Sequence, residues 1–117
     1  MADLTIDSCA RALDLYDSLR QAHWSHIPAF RDLVGELGRS AEAAGLTAVT
    51  SHETLLVSPY TTYPDWFDGR HIRLHPLPDG QVRVSRWRDQ HHGQGAESWT
   101  LSLADARVKA LELLAEL

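Results

Sequence analysis

Cysteine is nearly absent from this 117-residue sequence, in which Cys9 is the single example. One thiol cannot form an internal disulfide, so the chain is not a small disulfide-stapled scaffold. A chain of this length buries roughly two-thirds of the surface that its unfolded form exposes, so a hydrophobic core can replace such cross-links. We therefore expect one domain over residues 1–117 that needs neither a disulfide nor a metal to fold.

Long apolar runs are missing as well, and no stretch approaches the ~20 apolar residues that a membrane-spanning helix needs. The first residues, Met1 to Asp3, have neither the basic nor the apolar region of a secretory signal. Positive charge is not in excess, because 11 basic side chains stand against 16 acidic ones. These features predict a cytoplasmic protein that does not bind membranes, and they argue against general nucleic-acid binding.

Recognisable catalytic and metal-binding motifs are also lacking. The histidines that occur close together have no third ligand at a spacing typical of zinc, namely His23 with His26 and His91 with His92. Cys9 falls on the apolar side of a predicted helix, where a thiol behaves as a small hydrophobic group. No serine lies in a nucleophile elbow, and no glycine loop has the strand-to-helix context of a phosphate cradle. We therefore predict no catalytic residue, metal ligand or cofactor.

The sequence does contain a hairpin whose register can be derived. Pro78, Asp79 and Gly80 suit a three-residue turn, because proline fixes its own φ and glycine accepts a positive one. A loop of this length predicts the following pairs, from the turn outward: Pro76 with Val82, His75 with Arg83, Leu74 with Val84, Arg73 with Ser85 and His71 with Trp87.

Side chains alternate across a strand, so this register divides the hairpin into two faces. The apolar face holds Ile72, Leu74, Val82 and Val84, and the polar face holds His71, Arg73, His75, Arg83, Ser85 and Trp87. Arg86 and Trp87 conflict with the division, because the arginine falls on the apolar side and the indole on the polar side. This conflict indicates either a bulge that returns Trp87 to the core or an indole on the open face.

Helical periodicity predicts three helices around the hairpin: residues 7–21, a second from near Ser25 to a stop at Gly45, and a third capped by Ser102. We expect the core side of the third helix to hold Leu103, Ala106, Ala110, Leu114 and Leu117, widened by Val108 and Leu111. One or two strands are predicted in 46–59 and another in 97–101, with a loop over 60–69. The predicted fold class is α+β, with the order α-α-β(n)-α and three to five antiparallel strands packed on one face by helices.

The polar face of the hairpin is the candidate binding site. Its His71, Arg73, His75 and Arg83 could hold a phosphate or carboxylate, because arginine offers a rigid fork of donors and an anion favours protonated histidine. The same charges could instead serve solubility and block edge pairing. The adjacent loop carries Tyr63, Trp66 and Phe67, which either plug the core or anchor a partner.

Two classes of function fit these residues. The first is a small non-catalytic interaction protein, comparable to inhibitors or immunity proteins, that docks a protein partner through the polar face, Trp87 and the aromatic loop. A homodimer through the same face is a variant of this hypothesis. The alternative is a binder or enzyme for an anionic small molecule, held by His71, Arg73, His75 and Arg83, with one histidine as general acid or base.

Overall fold

A five-stranded antiparallel sheet, in which each strand pairs with the next along the chain, forms the centre of the protein. The computed structural model describes residues 27–40, 45–51, 53–62, 64–89 and 96–117. Their elements are α1 (Ile27–Gly38), β1 (Thr47–Ser51), β2 (Thr54–Ser58), the one-turn helix α2 (Asp65–Asp68), β3 (His71–Pro76), β4 (Val82–Trp87), β5 (Glu97–Leu101) and α3 (Leu103–Glu116). The predicted α+β class is therefore confirmed.

Several predictions concern residues outside the described ranges. They are the helix over 7–21 with Cys9, the two histidine pairs and the loop residue Tyr63. Within the described ranges, no helix is long and apolar enough to cross a membrane.

The β3–β4 hairpin has the predicted register. Leu74 lies opposite Val84, and the pairing continues without interruption to His71 opposite Trp87. The turn is closed by the Leu77 N–H, which donates to the Gln81 carbonyl over 2.9 Å. Gly80 has a φ of 88°, the left-handed conformation that favours glycine. Turn chemistry and hydrophobic alternation thus select the same alignment.

The inner face of the sheet packs against α1 and α3 to form the core. The sheet contributes Leu55, Val57, Ile72, Leu74, Val82 and Val84, and the helices contribute Phe30, Leu33, Val34, Leu37, Ala106, Ala110, Leu113 and Leu114, all of them buried. The side chains of Trp99 and Leu101 from β5 pack on this cluster together, as their alternation predicts. A two-layer arrangement therefore leaves the other face of the sheet turned away from α1 and α3.

Arg86 and Trp87 occupy the faces that simple alternation assigns to them, because the ladder has no bulge there. Arg86 is tolerated at the inner rim since its guanidinium donates to Glu116 of α3 over 2.6 Å and to Glu97 of β5 over 2.7 Å. These two carboxylates raise the pKa of Arg86. Of the two alternatives for Trp87, the structure shows an indole on the outer face.

The last helix begins as predicted, with the Asp105 N–H donating to the Ser102 hydroxyl over 3.2 Å. Its core side differs at two positions, because Val108 is 54% exposed while Leu113, which was not predicted there, is buried. Val108 lies two residues from both Ala106 and Ala110, which places it roughly 200° around the helix from either. The prediction that Val108 widens the apolar stripe was therefore wrong, and Leu113 widens it instead.

Two boundaries also differ from the predictions. Helix α1 ends at Gly38 and not near Gly45, because the Ser40 N–H and hydroxyl both bond to the Leu37 carbonyl and close the final turn. Gly45, with a φ of 80°, instead shapes the entry to β1. The predicted loop over 60–69 contains α2, a single turn too short for periodicity to reveal.

Truncation of Leu74 tests this assignment of the core. Leu74→Ala should lower the free energy of unfolding by about 2–5 kcal/mol, because the side chain is fully buried between the sheet and the helices. Val108→Ala is the matched control and should change it by less than about 0.5 kcal/mol. Urea unfolding followed by circular dichroism measures both values, and comparable losses in the two variants would contradict the assignment.

Candidate binding face

We call the side of the sheet turned away from α1 and α3 the outer face. The strand register places on it three cross-strand rows: Thr54, His75, Arg83 and Thr100; Leu56, Arg73, Ser85 and Ser98; and Ser58, His71 and Trp87. The predicted polar residues of the hairpin therefore share one face. Exposure is greatest toward β5, where Arg83, Ser98 and Thr100 are open to solvent.

His71 is completely buried on this face, and both of its ring nitrogens are hydrogen-bonded. Nδ1 lies 2.9 Å from the Gly69 carbonyl oxygen, and Nε2 lies 3.0 Å from Nε of Arg73. A carbonyl can only accept and a guanidinium can only donate, so these partners require the neutral imidazole with its proton on Nδ1. His71 consequently acts as a connector between the loop before β3 and Arg73.

Two aromatic rings stack on this connector. The His71 ring lies 6.3 Å from the Phe67 ring and 5.8 Å from the Trp87 ring, with interplanar angles of 19° and 11°. The guanidinium carbon of Arg73 lies 5.3 Å from the centroid of Phe67 and 4.5 Å from that of Trp87. Arginine suits such a position because its planar, weakly hydrated cation packs against aromatic rings. Burial lowers the pKa of Arg73 from its ordinary value. We call Phe67, His71, Arg73 and Trp87 the aromatic clamp.

His75 and Arg83 form the other part of the predicted site, and they are not members of the clamp. Nδ1 of His75 lies 2.7 Å from the Thr54 hydroxyl, and Nε2 lies 3.8 Å from a Glu53 carboxylate oxygen. His75 therefore bonds toward the start of β2. Arg83 lies directly across from it, is exposed, and makes no ion pair or hydrogen bond with the described residues.

The aromatic loop covers one end of the outer face and does not plug the inner core. Phe67 stacks on His71 while 42% of it stays exposed. Trp66 is half-buried and contacts Phe67 edge to face, with 6.3 Å between the ring centroids. Neither Trp66 nor Phe67 belongs to the inner core, and the exposed part of Phe67 forms an aromatic surface at this end of the outer face.

Sequence reasoning missed the group that holds this loop in place. Arg70 and Asp89 meet in a 2.9 Å ion pair, and the Arg70 backbone N–H also donates to the carboxylate over 2.8 Å. The Tyr60 hydroxyl donates to the same carboxylate over 2.9 Å. The hairpin register could have predicted that these two residues are close, since Arg70 precedes the first paired residue of β3 and Asp89 follows shortly after the last paired residue of β4. We call Tyr60, Arg70 and Asp89 the loop bracket.

A separate cavity of about 440 Å³ lies on the helical layer. It is lined by Glu36, Leu37, Arg39, Ser40, Arg107 and Leu111. Glu36 and Arg107 pair across it over 2.7 Å, which ties α1 to α3. None of the predicted site residues contributes to this cavity.

Comparisons with known proteins add no identification, because no family model, curated protein or solved structure matches the chain.

Two arginines of the same face should differ in their structural role. Arg73→Ala should lower the free energy of unfolding by about 1–3 kcal/mol, because it removes the donor to a buried nitrogen of His71. Arg83→Ala should change it by less than about 0.5 kcal/mol, since that side chain is exposed and unbonded among the described residues. Urea denaturation measures the free energy of unfolding of both variants. Equal values for Arg73→Ala and Arg83→Ala would mean that the clamp does not stabilise the fold.

The loop bracket should make stability depend on pH. The Arg70 backbone N–H, the Tyr60 hydroxyl and the Arg70 guanidinium hold the pKa of Asp89 below the ordinary value of 3.8. Because the folded pKa is the lower one, the stabilising contribution is present above the unfolded pKa and is lost as the pH falls through the folded pKa. Asp89→Asn should therefore cost at most about 1 kcal/mol at neutral pH, since the pair is partly exposed.

The difference between wild type and Asp89→Asn should shrink as the pH falls below about 4, and denaturant unfolding across that range measures it. Tyr60→Phe removes the phenol that donates to Asp89 and accepts from Arg70, keeps the ion pair itself, and should give a smaller difference of the same sign. A difference that stays constant from neutral to acidic pH would contradict the assigned role of Asp89.

Proposed function

We propose that this chain is a non-catalytic interaction protein that docks an acidic protein partner through its outer face and the exposed edge of Phe67. The supporting observation is that Arg73 and Arg83 on that face form no ion pair with the described residues. Its described strand positions include Arg73 and Arg83 but no aspartate or glutamate. The chain as a whole has a formal net charge of −5, so this face differs in sign from the molecule.

The other arginines of β3 and β4 and their flanks are neutralised internally. Arg70 pairs with Asp89, and Arg86 and Arg88 both pair with Glu97. Surface charges that lack such partners steer and orient a complementary surface more than they stabilise the fold. The contrast with these neutralised arginines supports an intermolecular role for Arg83.

The exposed part of Phe67 supplies the apolar component that such a surface needs. Aromatic side chains and arginines are the residues that most often dominate the binding energy of protein interfaces. Phe67 is already ordered by its stack on His71, and the loop bracket fixes the segment before and after it. Binding through an ordered ring loses less conformational entropy than binding through a mobile one. A homodimer through this face would place the arginines of one subunit against those of the other. This repulsion favours a different, acidic partner.

The alternative, an anionic small molecule held by His71, Arg73, His75 and Arg83, has less support. His71 is completely buried and would have to give up one of its two internal hydrogen bonds to act as an acid, a base or a ligand. His75 bonds toward Thr54, away from Arg73. Protein docking needs no such rearrangement, because it uses the groups that already face outward.

Charge reversal at Arg83 tests the proposal. A partner captured by cross-linking and identified by mass spectrometry is titrated against wild type, Arg83→Glu and the control Arg31→Glu, which makes the same charge change on α1. Arg83→Glu should weaken binding by at least about tenfold, because it places like charges opposite each other. Arg31→Glu should retain the partner, and added salt should weaken wild-type binding. A partner bound equally well by Arg83→Glu would remove the outer face from the proposal.

A further inference from the structure

The guanidinium of Arg73 is held on several sides by its own chain. Its Nε donates to His71 over 3.0 Å, and its plane lies near the Phe67 and Trp87 rings. An arginine side chain normally loses considerable rotamer freedom when it binds an anion. At Arg73 the clamp has fixed the guanidinium before any partner arrives.

The remaining donors of the same guanidinium are not used by the described residues. Arginine has five N–H donors, and the one on Nε is used by His71. Neither Nη atom of Arg73 forms a hydrogen bond with a described residue, and the side chain is half-buried rather than freely solvated. Its neighbours in the row toward β5 are small, since Ser85 and Ser98 lie there with their hydroxyl oxygens 3.0 Å apart. On the β5 side of Arg73, the row therefore presents no large side chain to a planar group that approaches the two Nη atoms, while Leu56 lies on the β2 side.

We propose that Arg73 is the recognition point for a carboxylate of the docked partner, an aspartate or glutamate side chain that accepts two parallel hydrogen bonds from Nη1 and Nη2. This inference rests on the proposed function and specifies the chemical group that the same face binds. A carboxylate matches the end-on edge of a guanidinium in shape as well as in charge. The Phe67 ring lies 5.3 Å from the guanidinium carbon of Arg73, so we expect the partner's segment to carry an apolar residue next to the acidic one.

The charges of the outer face favour a protein carboxylate over a polyanion. Nucleic acids and anionic membranes are bound by many cations spread over a surface. The described strand positions of the outer face carry two arginines, the exposed Arg83 and the half-buried Arg73, on a chain with a formal net charge of −5. One fixed fork beside an exposed aromatic ring is suited to a single acidic side chain in a mixed protein segment.

Nuclear magnetic resonance on the labelled wild-type chain tests the inference with defined probes. The probes are three short peptides of one sequence, each with a leucine beside a central residue that is glutamate, glutamine or phosphoserine. The glutamate peptide should shift the Arg73 side-chain and Trp87 indole signals more than those of Arg83, which serves as the internal reference. The glutamine peptide should shift neither. Equal shifts at the two arginines, or no shift at Arg73, would overturn the assignment, and so would tighter binding of the phosphoserine peptide.

Conservative variants then separate geometry from charge. Arg73→Lys retains the positive charge but loses the fork, so it should weaken binding of the glutamate peptide and of the captured partner by at least about fivefold. Arg83→Lys should weaken either by less than about twofold, because an exposed charge without a set geometry is replaced by another. Equal losses in the two variants would overturn the role of the fork. The spectrum of Arg73→Lys reports whether it is folded, and the wild-type titration decides the matter if it is not.

The two proposals have distinguishable outcomes. If Arg83→Glu abolishes partner binding and Arg73→Lys does not, docking on the outer face stands and the carboxylate site at Arg73 is contradicted. If neither substitution changes the affinity for the partner, both proposals are contradicted.

Discussion

A shift of one residue between β3 and β4 would put Leu74 and Val84 on opposite faces of the sheet, because opposed residues share a face and side chains alternate along a strand. One of these two buried side chains would then turn to solvent, and an arginine of the same strand, Arg73 or Arg83, would be pushed among the buried side chains beneath the helices. The turn at 78–80, with its positive φ at Gly80, holds the alignment that avoids both costs. The position of the core, the placement of the clamp and the charge of the outer face all depend on this register.

Arginines at neighbouring positions of the hairpin have different surroundings, and this difference leads to the proposed function. Arg86 at the inner rim is neutralised by Glu97 and Glu116, which α3 and β5 bring to it. Arg73 on the outer face is instead held by aromatic rings and a neutral imidazole, which position its cation without cancelling the charge. The rings hold Arg73 in place, while its terminal donors make no hydrogen bond with the described residues. A structural role and a recognition role are thus compatible in one side chain.

Local chemistry explains how much of this arrangement could be predicted. The hairpin register followed from turn residues and strict alternation, both of which act over a few positions. The face occupied by Trp87 stayed open until the ladder proved to have no bulge. Helix α2 was missed because one turn has no periodicity, and Val108 was placed wrongly because several apolar residues crowd the same helix. The division of the outer face into the clamp and a separate His75–Arg83 pair depends on long-range contacts that spacing does not encode.

The amino-acid sequence by itself determined the α+β class, the alignment of β3 with β4 and the sharing of one face by Arg73 and Arg83. Periodicity and turn preference are properties of neighbouring residues, so they can be read along the chain. Only the tertiary structure decided that Phe67 stacks on His71, that Asp89 anchors the loop before β3, and that Arg73 is fixed while Arg83 is free among the described residues. Those distinctions come from side chains that are distant in sequence and meet only when the sheet and its loops are assembled.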